Sequence, residues 1–271
     1  MFLLQKMQKS KKRYVHCLDS KGWSLLHPFL VVFAAAFVSL GYDNLDYGMP
    51  TSKTNEEDLV VIDREGYAAG YSPSKKQAVW VQYRLTTEEA FPSNAVKRSD
   101  CFDADPLLSD GVSEDDYKQS GYDRGHLAPA ADMSWSKKAM QESFYMSNMS
   151  PQVPSFNRGI WKKLEDWTRH VASVETSIVV ITGSIFSSTN ATTSGIAVPS
   201  AYFKVIYDET PPCKAIGFLL SNEASTNDLS SFAKSVSEVE AASSFMFLQV
   251  IDASSRSSLW KDANFEEWHL K

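Results

Sequence analysis

The sequence has few of the residues that usually build a metal or redox centre: three cysteines and five histidines in 271 residues. Cys17, Cys101 and Cys213 lie far apart and show no zinc-ligand spacing, which excludes a CxxC-type metal site. Cys101 and Cys213 stay open as either a cross-body pair or two separate buried thiols. From residue 59 onward there is no internal repeat and no low-complexity block, which excludes a solenoid or a disordered array. Excess positive charge is missing too. The formal net charge is −6, and it is uneven: residues 1–24 carry six Lys/Arg and one acid, while the remainder carries 21 basic and 32 acidic residues. Such a body is not basic overall, so any polyanion site must be a local cluster and salt-sensitive. What remains, 43% hydrophobic and 22% charged residues, is an ordinary globular composition long enough for one large domain or two small ones.

The front end divides into a basic segment over 1–24, a hydrophobic segment over 25–41 and a polar linker over 42–58. Leu25 to Leu40 is apolar apart from His27, Pro28 and Ser39. That run is short for a membrane span of ~20 residues and long for a signal core of ~7–15. The preceding positive charge suits both. Cleaved signal peptide and uncleaved membrane anchor both stay open, with a buried core helix as the alternative. Export is the expectation, to a periplasmic or extracellular destination or to the membrane surface.

The body, 59–271, reads as a mixed α/β (α+β) domain with a largely antiparallel central sheet flanked by helices. "DLVVIDREGYAAGYSPSKKQAVWVQYRLT" predicts two strands joined by a turn at Ser72-Pro73-Ser74. Residues 92–119 are acidic, polar and without a period, as expected of a long loop. Ser134 or Ser136 caps a helix to about Tyr145. Ile160, Trp161, Leu164, Trp167, Val171 and Val174 keep helical spacing after Asn157. "SIVVITGSIF" (177–186), "AYFKVIYD" (201–208) and "KAIGFLLS" (214–221) predict strands, the last two joined through Pro211-Pro212. A helix over 228–242 and a final strand in "FMFLQVID" complete the pattern.

The chemistry concentrates in "SGYDRGHLAPAADM", residues 120–133. A lone histidine is usually a packing residue, but the neighbours of His126 are unusual. Gly125 permits close backbone approach, Arg124 offers a planar donor fork suited to phosphate, and Leu127-Ala128-Pro129-Ala130 makes a tight exit. A neutral imidazole is the natural general base near neutral pH. A base beside a phosphate fork points to phosphodiester hydrolysis. Downstream, "YMSNMSPQVPSFNRGIWKKLEDW" places Asn148 and Asn157 around a Pro-rich loop. Asn157 reads either as a helix N-cap or as an oxygen ligand for a hard cation, since Mg²⁺ keeps most of its waters and needs few protein ligands. Glu165 falls two turns further on, either near that cation or as a surface partner of Lys162 or Arg169.

"DRGHLAPAADM" together with "SNMSPQVPSFNRGIWKKLE" resembles the non-specific DNA/RNA endonucleases of the ββα-metal class, the family that includes endonuclease G. "KRSDCF" (97–102), "IVVITGSIF" (178–186) and "VPSAYFKVIYD" (198–208) follow in the family's order, and the likeness covers about 59–240. The resemblance implies a finger of two strands and a helix. In it His126 is the general base and Asn157 the sole protein ligand of Mg²⁺, with Mn²⁺ as a substitute. Arg98 stabilises the pentacovalent phosphate, Glu165 orients water around the cation, and Arg124, Asn148, Asp123 and Gly125 support the site. It further implies DNA and RNA as substrates, little sequence preference, 5′-phosphate and 3′-hydroxyl ends, and homodimers in some members. Arg158, Lys162 and Lys163, with Lys137 and Lys138, would form a basic rim; the alternative is a solvated helix surface. The residues after about Ala241 depart from the family ending and suggest an added strand and tail. Two other classes compete: a catalytically silent nucleic-acid-binding envelope protein, and a phosphodiesterase for a smaller substrate.

Overall fold

The computed structural model describes residues 42–54, 59–187 and 192–268. Its strands are β1 (Thr51–Ser52), β2 (Val60–Asp63), β3 (Ala68–Ser72), β4 (Gln77–Thr86), β5 (Asp123–His126), β6 (Met149–Gln152), β7 (Ser177–Ile185), β8 (Thr192–Thr193), β9 (Ile196–Ala197), β10 (Ala201–Asp208), β11 (Lys214–Ser221), β12 (Ala233–Lys234) and β13 (Phe245–Met246). Its helices are α1 (Thr87–Ala90), α2 (Lys137–Glu142), α3 (Pro154–Phe156), α4 (Lys162–Glu175), α5 (Val236–Ser243) and α6 (Ala253–Leu259). Seven strands form one antiparallel sheet in the order β12-β11-β10-β7-β4-β3-β2.

The middle strands are apolar on both faces because both faces are covered. Along β7, Ile178 and Val180 join one core while Val179 and Ile181 join the other. The first core lies under α4, with Phe156, Ile160, Trp161, Leu164 and Val171. The second lies under α5 and the C-terminal segment, with Val236, Val239, Phe247, Leu248 and Trp260. A strand sandwiched this way shows a continuous apolar run rather than alternation, which is how 177–185 reads.

Several expectations change. The 59–87 stretch is three strands, not two. The chain reverses once between β2 and β3, where the Arg64 N–H donates to the Tyr67 carbonyl at 2.8 Å. It does so against Gly66, where a Cβ would sit 2.3 Å from Met133 Sδ. The helix capped by Ser136 stops at Glu142, short of Tyr145. The expected helix over 228–242 begins only at Val236. There Ser235 and Glu238 form a reciprocal cap, Ser235 N–H donating to Glu238 Oε2 at 2.8 Å; residues 233–234 are spent on strand β12. The last strand is cut to Phe245–Met246, paired with β1, because Leu248 takes a left-handed φ of 48°. Phe247 and Leu248 nonetheless enter the second core. At the far end Phe265 stacks on Trp167 at 5.2 Å and Trp268 is buried. The C-terminal residues therefore close both layers rather than trailing as a tail.

The long 92–119 segment is a loop with one short 3₁₀ turn, Glu114–Tyr117, but it is tethered. Buried Asp105 accepts from Arg64 and from Ser147 Oγ. Cys101 is a free exposed thiol, so the pairing with Cys213 is not formed. Among the described residues no helix is long and apolar enough to cross a membrane; segments 1–24 and 25–41 lie outside them.

Phe247 is fully buried and packs 5.4 Å from Phe203 of the sheet. Phe247→Ala is expected to lower stability by about 3–5 kcal/mol, read as the urea midpoint. A loss under about 1 kcal/mol would show that the C-terminal segment is dispensable packing.

Candidate active site

β5 and β6 form a separate two-stranded antiparallel pair, with Asp123 opposite Gln152 and His126 opposite Met149. The pair is fastened to the sheet through Ser150, whose hydroxyl donates to Gln77 Oε1 at 2.6 Å and shares a hydrogen bond with the Tyr202 hydroxyl at 2.7 Å. Gly125 is required by this packing: a Cβ there would lie 2.1 Å from the buried side chain of Gln152. After β6 the chain enters α3 with Pro154 in its first turn, where proline is pre-shaped for a helix. It then passes through a π turn over Asn157–Trp161 into α4. Gly159 takes non-helical angles inside that turn. Single π turns inside helices often accompany functional positions.

Asn157 is therefore not an N-cap. Its Nδ2 donates to Asp123 Oδ2 at 3.0 Å. An ionised carboxylate has no proton to give, so Asp123 can face only the NH₂ end of the amide. That leaves Asn157 Oδ1 turned away from Asp123, and no hydrogen bond occupies it among the described residues. The same carboxylate takes both ends of the Arg158 guanidinium, at 2.8 and 2.6 Å. Arg158, expected on the basic rim, is thus neutralised locally. Lys162 pairs with Asp166 at 2.5 Å, and Lys163 has no ion-pair partner among the described residues.

His126 is 9% exposed and stands edge-on to Phe144 at 4.9 Å and to Phe102 at 5.9 Å. Its Nε2 is buried without a hydrogen-bond partner. Burial first, then the guanidiniums of Arg98 and Arg124, pull its pKa down to about 3, with Asp100 acting the other way. The ring is accordingly neutral at physiological pH. The strap behind it is Asn148, which is fully buried. Its Oδ1 accepts from Ala128 N–H at 2.9 Å, and its Nδ2 donates to the Ala128 and Ser143 carbonyls at 2.9 and 2.8 Å. All its amide contacts go to main chain, and they hold the exit from the DRGH strand.

Arg98, Asp123, Arg124 and Asn157 line one cavity of about 450 Å³, together with Phe102 and Glu114. Arg124 lies 4.0 Å over the Phe102 ring and pairs with Glu114. Arg98 lies 4.9 Å over Phe144, and its Nε donates to Asp100 Oδ1 at 2.6 Å. Both guanidiniums are held by aromatic rings and paired with exposed carboxylates. Exposed pairs contribute at most about 1 kcal/mol, so an entering phosphate can displace Asp100 and Glu114 at little cost. Sequence reasoning missed Phe102, Phe144 and Glu114. Phe102 sits in the "KRSDCF" block, but nothing local shows that its ring supports Arg124 and covers His126.

Glu165 is not on the cavity wall. It is half-buried on α4, near a charged cluster that includes Lys204, Asp132 and Arg169, and loss of water around its carboxyl raises its pKa. Lys204 is fully buried, donates to Thr182 Oγ1 at 2.6 Å and lies 5.1 Å over Trp161; burial lowers its pKa. Asp132 accepts from the Tyr83 hydroxyl and from Arg169, both at 2.7 Å.

Among the described residues no group of three or more His, Cys, Asp or Glu side chains could hold a metal. The donor that fits a hard cation is Asn157 Oδ1, a carbonyl oxygen with no internal partner on a residue that lines the cavity with two phosphate-compatible guanidiniums. Water and substrate oxygens would complete such a site, as Mg²⁺ prefers.

The profile of the DNA/RNA non-specific endonuclease family matches residues 43–254. Nuclease C1 of Cunninghamella echinulata is 33% identical over 219 residues, 73% of this chain and 86% of that protein. The mitochondrial nuclease of Saccharomyces cerevisiae is 30% identical over 228 residues, 74% of this chain and 69% of its own length. Among solved structures, the EndoG/EndoGI complex, determined for the mechanism of EndoG inhibition, matches with a TM-score of 0.71 and 27% identity. It covers 79% of this chain and 93% of that one.

The depressed pKa of His126 has a consequence for stability. Between about pH 6.5 and pH 3 the unfolded chain binds a proton on this ring that the folded chain does not. Stability therefore falls as pH falls through that window, by up to about 1.4 kcal/mol per pH unit from this group. His126→Asn is expected to lose that component, so urea midpoints measured from pH 7 to pH 4 should decline less steeply than in the unsubstituted chain. Equal slopes would show that the ring titrates normally.

Proposed function

The chain belongs to the DNA/RNA non-specific endonuclease family, and from that membership we propose a metal-dependent cleavage of DNA and RNA phosphodiesters with His126 as base. The observation that carries the reading is the Asp123 pin. One carboxylate on the DRGH strand takes the NH₂ end of Asn157 and leaves its amide oxygen free, on a residue that lines a cavity with Arg98 and Arg124.

His126 supplies the base. Its neutral ring needs no prior deprotonation at pH 7, and its Nε2 makes no hydrogen bond that would have to be broken first. Nε2 takes a proton from water as that oxygen attacks phosphorus in line. The bond to the 3′ oxygen breaks, that oxygen takes a proton from solvent water, and a 3′-hydroxyl and a 5′-phosphate are left. Arg98 and Arg124 meet the non-bridging oxygens and stabilise the charge that grows in the transition state. Asn157 Oδ1 would hold Mg²⁺, or Mn²⁺ in its place, which supplies further neutralisation of the phosphate and of the departing oxygen. Glu165, in the first turn of α4 and set back from the cavity wall, is assigned to ordering the hydration of that cation through intervening water. The contacts are to phosphate rather than to base edges, so little sequence preference follows. Residues 25–41 support export or membrane attachment, which N-terminal sequencing of the mature chain decides.

Incubating the chain with plasmid DNA and single-stranded RNA should give cleavage in Mg²⁺ and none in EDTA. His126→Ala should slow it by ~10²–10⁴-fold. Activity surviving EDTA, or a fully active His126→Ala, overturns the mechanism, and binding without cutting in every condition supports a silent binding protein instead. Asn157→Ala should also abolish Mg²⁺-dependent cleavage while leaving the thermal midpoint within a few degrees, because its one internal partner, Asp123, keeps Arg158.

A further inference from the structure

Residues 97–103 run between two cavities and alternate between them. Arg98, Asp100 and Phe102 face the catalytic cavity. Lys97, Ser99, Cys101 and Asp103 face a second one of about 680 Å³ on the other side of the same wall. The wall is tied at both ends. Val96 N–H donates to the Ser134 carbonyl at 2.7 Å, and the Asp103 carbonyl accepts from Met146 N–H at 2.9 Å. The segment is not a strand, since Asp100 takes a left-handed φ of 52°, yet its residues still alternate in the cavity they line, so one wall furnishes both cavities.

The second cavity has an apolar floor, which includes Val96 and buried Met140. Two lysines, Lys97 and Lys137, stand on it with Asn94 and Gln141. Neither lysine has an ion-pair partner among the described residues. On the catalytic side every described cation is already paired: Arg98 with Asp100, Arg124 with Glu114, Lys118 with Asp115. The unpaired positive charge of this region is thus on the far side of the wall. An apolar floor with two free ammoniums against one carboxylate, Asp103, which already accepts from Cys101, is net positive and complementary to a nucleotide: a base or sugar on Val96 and Met140, and phosphate on the lysines. The volume falls in the range of small-ligand pockets, ~300–1,000 Å³, too small for a duplex and sufficient for one strand.

We propose that this second cavity is a flanking subsite that holds a single polynucleotide strand a few nucleotides from the scissile phosphate, with Lys97 and Lys137 contacting its phosphates. The subsite rests on the nuclease reading above. It makes the 97–103 segment a divider over which the strand bends, with Arg98 on the reacting side and Lys97 on the flanking side.

The test measures binding apart from cleavage. A fluorescein-labelled 12-nucleotide single strand is titrated into the full chain carrying His126→Ala, in EDTA, from 25 to 200 mM salt, by anisotropy. Adding Lys97→Gln and Lys137→Gln should flatten the slope of log affinity against log salt by about 1.4, two single-strand phosphate contacts at ~0.7 each. Lys261→Gln, on the opposite side of the sheet beside Trp260, serves as the charge-loss control and should leave the slope unchanged. Melting temperatures confirm that all variants fold. An unchanged slope in the double-lysine variant, an equal change in the control, or no binding by the His126→Ala chain at 25 mM salt overturns the subsite. Cleavage of the same strand in Mg²⁺ by the unsubstituted chain is read separately. If it cuts while the slope stays fixed, only the subsite falls. If the slope flattens and nothing is cut, only the hydrolytic reading falls.

Discussion

The contact on which the site depends is Asp123 with Asn157. It joins the first strand of the ββα unit to its helix, and it decides which end of an amide faces the cavity. An asparagine side chain is nearly symmetric in shape, and free in solution it has no reason to present oxygen rather than nitrogen. A carboxylate beside it removes that freedom, because only the NH₂ end can donate. Arg158 completes the arrangement by taking the remaining acceptor capacity of Asp123. As an exposed ion pair this contributes little to stability. Its effect is orientational: it keeps the carboxylate from rotating away. The DRGH aspartate is therefore more than the structural neighbour of the histidine.

Two kinds of charge pair surround this pin, and their burial separates their roles. Beneath α4, Asp132, Arg169 and Lys204 are buried or nearly so, Asp132 accepting from Tyr83 and Arg169, and Lys204 donating to Thr182. Removing one partner there strands a buried charge, which typically costs 3–5 kcal/mol, so this cluster behaves as a fixed floor. Over the cavity, Arg98 and Arg124 pair with carboxylates that are half or more exposed. Those pairs are exchangeable for a phosphate. Aromatic rings under both guanidiniums hold the forks in place through the exchange, since a cation–π contact survives when the carboxylate leaves.

The larger architecture was readable from periodicity. The strands over 177–185, 201–208 and 214–221 and the apolar stripe of α4 appear where their residue patterns put them, because sandwiched strands and one-sided helices impose those patterns. In the DRGH block the sequence showed a glycine between an arginine and a histidine, and the structure gives that glycine a packing reason, the close approach of Gln152. What was not readable is long-range. Gly66 allows a reversal only because Met133 lies across from it. The helix expected from 228 loses its first turns to a strand pairing with β11, and the C-terminal run is claimed by a core its own sequence does not describe. The cover of His126 by Phe102 and Phe144 is of the same kind, a contact between segments 24 and 18 residues away.

An acidic body repels a polyanion at long range. The arrangement of charges removes the difficulty. Most acids near the cavity are already spent on neighbouring cations: Asp100 on Arg98, Glu114 on Arg124, Asp115 on Lys118, Asp123 on Arg158. These pairs present dipoles, not net negative charge, to a strand more than a Debye length away, about 8–10 Å at ordinary salt. Close in, under the proposed mechanism, a phosphate replaces Asp100 and Glu114 and meets Arg98 and Arg124 already positioned, while Asp123 keeps its partners. The energetic burden of an acidic protein thus falls on encounter rather than on the bound state. Such a protein should meet a strand faster when added salt or a divalent cation screens the approach, while its chemistry, once engaged, depends on the local groups alone.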